Sequence, residues 1–191
     1  MAYIHLHPLA ITTICECETK LRKAGTNLSP NAPLVGLLFG TFDENDSPHI
    51  HIHYAMEAIY QYEQEHLPVL NFPKIAERKS LWCTVNPSHH LIGWFSSGSA
   101  IQSWHSSLHQ QIIASLLFHR EPVFLLMNPE FNANTRALPI KIHHMVTEDS
   151  SSKFIINKFQ LEGLLAEKVA LDEVVKSVPS HGKIAGKLTI I

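Results

Sequence analysis

The run Pro33-Leu34-Val35-Gly36-Leu37-Leu38-Phe39-Gly40-Thr41-Phe42 constrains this chain more than any other stretch. It is short and continuously apolar, which suits a strand covered on both faces rather than one half-exposed to water. Such a strand belongs at the centre of a sheet with other elements packed above and below it. Asp43 to Pro48 is a turn by composition, and His49 to Met56 then alternates strictly between polar and apolar residues. The two runs therefore read as an antiparallel hairpin. Alternation assigns Ile50, Ile52 and Tyr54 to one face of the second strand, and His49, His51 and His53 to the other.

The rest of the chain supplies elements to surround that hairpin. Tyr3 to Leu6 reads as a first strand that stops at His7-Pro8. From Leu9 to Ala24, apolar residues recur at helical spacing and basic residues gather late, as the helix dipole favours; Gly25 closes the helix. Gln61 to Pro68 reads as a loop, Pro73 to Val85 as a helix ended by Asn86-Pro87, and His89 to Phe95 as a buried strand. Ile101 to Phe118 places Trp104, Leu108, Ile112, Ile113 and Leu116 on one stripe, predicting an amphipathic helix packed on the sheet. Pro122 to Met127, Leu138 to Met145 and Lys153 to Phe159 are further strands, and Glu162 to Val175 is a last helical pattern. The order predicts a single α/β domain over residues 1–178, with a mixed, largely antiparallel sheet and helices on both sides. Residues 179–191 are expected to form a mobile tail.

Composition excludes several classes of function. Charged residues make up 17% of the 191 and the net charge is -2, which argues against a general nucleic-acid binder. No apolar stretch approaches the roughly 20 residues needed to span a bilayer as a helix. The N-terminal residues have neither a basic start nor a continuous apolar core, so they do not read as a secretory signal, and residence in the cytoplasm and nucleus is expected. Cys15, Cys17 and Cys83 contain no C-x-x-C pair and support neither a disulfide framework nor a cysteine zinc site. Phosphate-binding glycine motifs are absent.

Fourteen histidines are the compositional feature that points toward metal. Same-face residues along one strand lie about 6.6 Å apart, so His49, His51 and His53 could offer two ligands to one ion but three only awkwardly. They read as a polar sheet face, with a metal or pH-sensitive contact as the lesser reading. His105 and His109 share a helix face four residues apart, but Ser106 stands where an H-E-x-x-H site needs its glutamate. A solvated or partner-facing flank is the expectation for both. Leu91 to Ser99 ends a buried strand in Gly and Ser, where hydroxyls would be presented to a cleft.

His7-Pro8, Leu34-Val35-Gly36-Leu37-Leu38-Phe39-Gly40, Ile92-Gly93-Trp94-Phe95-Ser96-Ser97-Gly98 and Val123-Phe124-Leu125-Leu126-Met127-Asn128-Pro129 resemble, in that order, the successive signatures of the MPN domain. The resemblance implies a cytidine-deaminase-like fold. Its active members are zinc isopeptidases with a Glu on the second strand followed by H-x-H-x7-S-x-x-D. That pattern falls on Pro33 at the Glu, Ser96 and Gly98 at the two His, Ser106 at the Ser and His109 at the Asp. Only the serine is retained, so the resemblance implies neither a bound metal nor a general base, and no cofactor.

Leu6-His7-Pro8-Leu9, Leu126-Met127-Asn128-Pro129, Ala137-Leu138-Pro139-Ile140 with Val146, and Leu165 to Asp172 are most similar to the signalosome branch of the family, with the proteasome-lid and translation-initiation-factor branches as rivals. A non-catalytic scaffold is then implied, paired with a catalytic MPN subunit and joined to further subunits, supporting removal of the ubiquitin-like modifier Nedd8 from cullins. An isolated domain built for pairing is expected to form homodimers. Interface candidates come from the two sheet-flanking helices: Ile11 and Leu21 on the first, Trp104, His105 and Leu108 on the other. The competing reading is a metal-dependent hydrolase that uses His105, His109 and one of His51 or His53.

Overall fold

A computed structural model describes residues 3–23, 32–43, 49–62, 68–116, 118, 120–130, 138–148 and 151–162. Beyond Glu162, the helix expected from Glu162 to Val175 and the expected tail lie outside the described residues. Ten strands and three helices are present among the described residues: β1 (Tyr3–Leu6), α1 (Pro8–Lys23), β2 (Val35–Asp43), β3 (His49–Glu57), β4 (Tyr60–Tyr62), β5 (Pro68–Leu70), α2 (Phe72–Val85), β6 (His90–Ser97), α3 (Ser103–Ser115), β7 (Val123–Met127), β8 (Ile140–Glu148), β9 (Ser151–Asn157) and β10 (Phe159–Leu161).

Eight strands form one sheet in the order β10-β1-β3-β2-β6-β7-β8-β9. The apolar run at β2 is central, as its composition demands, with β3 and β6 both antiparallel to it. β1 lies parallel to β3 and to β10, and β6 parallel to β7, so the sheet is mixed and mostly antiparallel. Each face of the sheet carries its own apolar cluster. Ala10, Ile14 and Cys17 of α1 repeat at helical spacing and meet Leu38, Ile52, Phe95 and Leu125 on one face. Ile75 of α2 and Leu108 and Ile112 of α3 meet Val35, Leu37, Trp94 and Phe124 on the other. Asn71 starts α2 by accepting a hydrogen bond from the Lys74 amide at 3.2 Å.

Three expectations change. Phe39 pairs with Tyr54 but Gly40 pairs with Ile52, which leaves His53 as an extra residue in β3. Alternation reverses at that bulge: Ile50, Ile52 and Ala55 enter the α1-side core, whereas Tyr54 and Met56 turn to the α2 side, where Tyr54 stacks on Trp82. Gly40 permits the bulge, since a Cβ there would sit 1.7 Å from the His51 carbonyl oxygen. Second, the two ends of the stretch expected as a loop, Gln61 to Pro68, fall in β4 and β5, paired antiparallel in a separate two-stranded sheet. Third, the expected strand from Lys153 to Phe159 is two strands. β9 pairs with β8 at one edge of the large sheet and β10 pairs with β1 at the other, with only Lys158 between them. A one-residue link between opposite edges means that the sheet curls until they nearly meet.

Candidate functional site

Of the five family positions, Ser96 and Gly98 lie at the end of β6, Pro33 just before β2, and Ser106 and His109 on α3; hydrogen bonds hold the end of β6 closed. The Ser97 amide donates to the Leu34 carbonyl at 3.0 Å, and the Ser97 hydroxyl accepts from the Leu34 amide at 2.9 Å. Pro33, next in the chain, has its carbonyl occupied by the Tyr62 hydroxyl, which donates at 3.0 Å from the β4–β5 ribbon. The Gly98 amide donates to Met127 at 2.9 Å. Ser96 is fully buried, and among the described residues its hydroxyl finds only the Ser97 carbonyl, at 3.4 Å. A Cβ at Gly98 would meet nothing nearer than 3.7 Å, so the absence of a side chain there is not dictated by space.

His109 is also fully buried, which corrects the expectation of a solvated or partner-facing flank. Its Nδ1 accepts the Trp94 indole N–H at 2.8 Å, and Phe154 meets the ring edge-on. This bond explains how an imidazole can occupy a core: it satisfies Trp94, a large buried residue with a donor that needs a partner. Burial in turn penalises the imidazolium and pushes the His109 pKa down to about 4. His105 lies one turn earlier and is 1% exposed. It stacks on Trp104, its Nδ1 accepts from the Gln102 amide at 2.8 Å to close the start of α3, and burial sets its pKa at about 4 against an opposing contribution from the Gln102 backbone. The Nε2 atoms of both histidines are buried without a hydrogen-bond partner.

This donor set does not fit the zinc site of the family's active members. It has no carboxylate, the one hydroxyl at a histidine position is internal, and the one imidazole is committed to Trp94. The rearranged set proposed for a hydrolase is not assembled either: among the described residues, His105 and His109 join no group of three donors within 4.8 Å. Of the interface candidates, His105 and Leu108 are buried in this chain, at 1% and 4% exposure. Trp104, Ile11 and Leu21 are partly buried and pack against the two core clusters. Sequence reasoning missed the role of Trp94 as the partner of His109; the signal available was a buried Trp on a strand facing a helix that carried an otherwise misplaced His.

A mixed, curled sheet with helices on both faces, and a strand end bearing Gly93-Trp94-Phe95-Ser96-Ser97-Gly98 against α3, define a domain of the MPN class. The family described as JAB1/Mov34/MPN/PAD-1 ubiquitin protease matches residues 1–116, more than half of the chain, and the chain belongs to it. Among curated relatives it is similar to COP9 signalosome complex subunit 6a of Arabidopsis thaliana, 23% identical over 198 residues covering 93% of this chain and 60% of the relative. COP9 signalosome complex subunit 6 of Dictyostelium discoideum is 23% identical over 188 residues, covering 96% and 57%. The Oryza sativa subsp. japonica subunit 6 is 26% identical over 112 residues, covering 56% and 33%. The chain thus spans between a third and three-fifths of the length of these relatives.

Proposed function

We propose that this chain is a non-catalytic MPN scaffold subunit of a signalosome-like complex, which pairs with a catalytic MPN subunit and supports removal of Nedd8 from cullins without performing the cleavage. The observation that carries the reading is the filled site. Where an active member needs two imidazoles, a carboxylate ligand and a glutamate base, this chain has a buried Ser96, a bare Gly98, a His109 bonded to Trp94 and a Pro33 that can neither ligate nor take a proton. The names of the relatives, all signalosome subunits, support the choice of complex. Partner contact falls to the outer sides of α1 and α3, with partly exposed Trp104 as the aromatic anchor.

The test is affinity purification of the chain from cytoplasmic and nuclear fractions of its own cell, followed by reconstitution with the catalytic MPN subunit so recovered. Recovery of cullin-regulating subunits, a stable 1:1 pair weakened by Trp104→Ala, and cullin cleavage that depends on the partner's zinc site are the expected results. Cleavage by this chain alone, or recovery of proteasome-lid subunits instead, overturns the reading.

A further inference from the structure

On the β10-β1-β3-β2 half of the sheet, parallel pairing sets Tyr3 opposite His49 and His5 opposite His51, and antiparallel pairing sets Thr41 opposite His51 and Asp43 opposite His49. Residues opposite one another in a ladder point the same way, so His5 of β1 joins the histidines of β3 on one face. The other face carries Ile4, Leu6, Ile50 and Ile52 into the α1-side core. The His5 and His51 rings stack with centroids 4.5 Å apart and planes 9° from parallel; His49 lies 5.1 Å from His5. A strand by itself offers two of its histidines to one ion and a third only awkwardly, and the second strand supplies the third.

The nitrogen atoms are arranged as a ligand set. Glu162, immediately after β10, places Oε2 2.9 Å from His5 Nδ1 and 3.3 Å from His51 Nδ1. Oε2 makes no hydrogen bond to either ring, so Glu162 acts on the pair as a nearby negative charge. His5 Nε2 faces His49 Nδ1 at 2.9 Å, and His51 Nε2 faces Asp43 Oδ2 at 3.3 Å. One donor atom from each of His5, His49 and His51 lies within 4.8 Å of the others. Tetrahedral coordination at about 2.0–2.1 Å to nitrogen separates neighbouring donors by about 3.3 Å, the length of the His51–Asp43 edge, with the His5–His49 edge shorter at 2.9 Å. Rotation of partly exposed rings supplies the rest.

We propose that His5, His49 and His51, with Asp43 as an oxygen donor, bind a divalent late transition-metal ion such as Zn²⁺. Imidazole nitrogen with one carboxylate and no thiolate suits borderline ions of this kind. The ion would tie β1, β3 and β2 together beside the sheet edge where β10 docks, at the opposite end of β2 from Pro33. Its task is structural, since the opposite face of the same strands is core.

The test uses the 191-residue chain with any tag removed, stripped of metal by chelation and titrated at neutral pH with Zn²⁺, and with Co²⁺ as an optical probe. One ion per chain at submicromolar affinity, tetrahedral Co²⁺ absorption bands and a rise in the unfolding temperature are expected. His51→Ala should lose binding at least 100-fold. His49→Gln serves as a second ligand variant should His51→Ala fail to fold by circular dichroism. Absence of stoichiometric binding overturns the proposal, as does binding that survives His51→Ala or His49→Gln and is lost in His105→Gln.

Discussion

Replacing His109 by glutamine should flatten the loss of stability that this protein suffers in acid. The native His109 is fully buried and its pKa is held at about 4 by burial, against 6.5 for a solvated imidazole. An unfolded chain therefore takes up this proton near pH 6.5, whereas the folded chain refuses it until about pH 4. Between those values the unfolded state binds more protons, so acid favours unfolding; the stability is whole above pH 6.5 and is lost as the pH falls toward 4. About 1.4 kcal/mol per pH unit across that window amounts to roughly 3 kcal/mol from one histidine. His105, also buried with a pKa of about 4, adds a comparable loss in the same direction. By pH 5 the two together remove about 4 kcal/mol, a large share of the about 5–15 kcal/mol by which domains are stable.

Glutamine at position 109 keeps an oxygen able to accept the Trp94 indole N–H but carries no titratable group. Urea unfolding followed by tryptophan fluorescence, from neutral pH to about 4.5, measures the difference. The variant starts somewhat less stable at neutral pH because its packing changes. The gap to the native protein should then close by about 1.4 kcal/mol for each pH unit below 6.5. Parallel stability curves for the two proteins, or a native protein that gains stability on acidification, would refute the assignment of His109 as a buried neutral imidazole.

Gly93→Ala tests the contact between β6 and β7. A Cβ would lie 2.1 Å from the Val123 carbonyl oxygen, an unyielding backbone atom in a paired strand, so a loss of at least about 3 kcal/mol or insoluble expression is expected, read by thermal unfolding. Near-native stability would mean that the two strands pair in another register. Tyr62→Phe removes the donor to the Pro33 carbonyl and should cost about 1 kcal/mol in chemical unfolding. A cost near zero would place the β4–β5 ribbon off the Pro33 segment.

The sequence alone determined the parts that depend on one element's own pattern. An uninterrupted apolar run made β2 a strand buried on both faces. Strict alternation made β3 its hairpin partner, and helical spacing with late basic residues made α1 a helix with an inward stripe. The five positions set against the family's metal site are an expectation that rests on residue identity alone. What the tertiary structure decided are relations between elements far apart in the chain. His53 became a bulge because β2 and β3 lose register at Gly40, and no alternation pattern marks where a ladder slips. Lys158 became a crossing between opposite edges because the sheet curls, which one strand's composition cannot report. His109 entered the core because Trp94, fifteen residues earlier on another element, offers its N–H there. His5 met His51 because β1 inserts parallel beside β3. A histidine's periodicity tells which face of its own strand it occupies; only long-range pairing decides what stands opposite it.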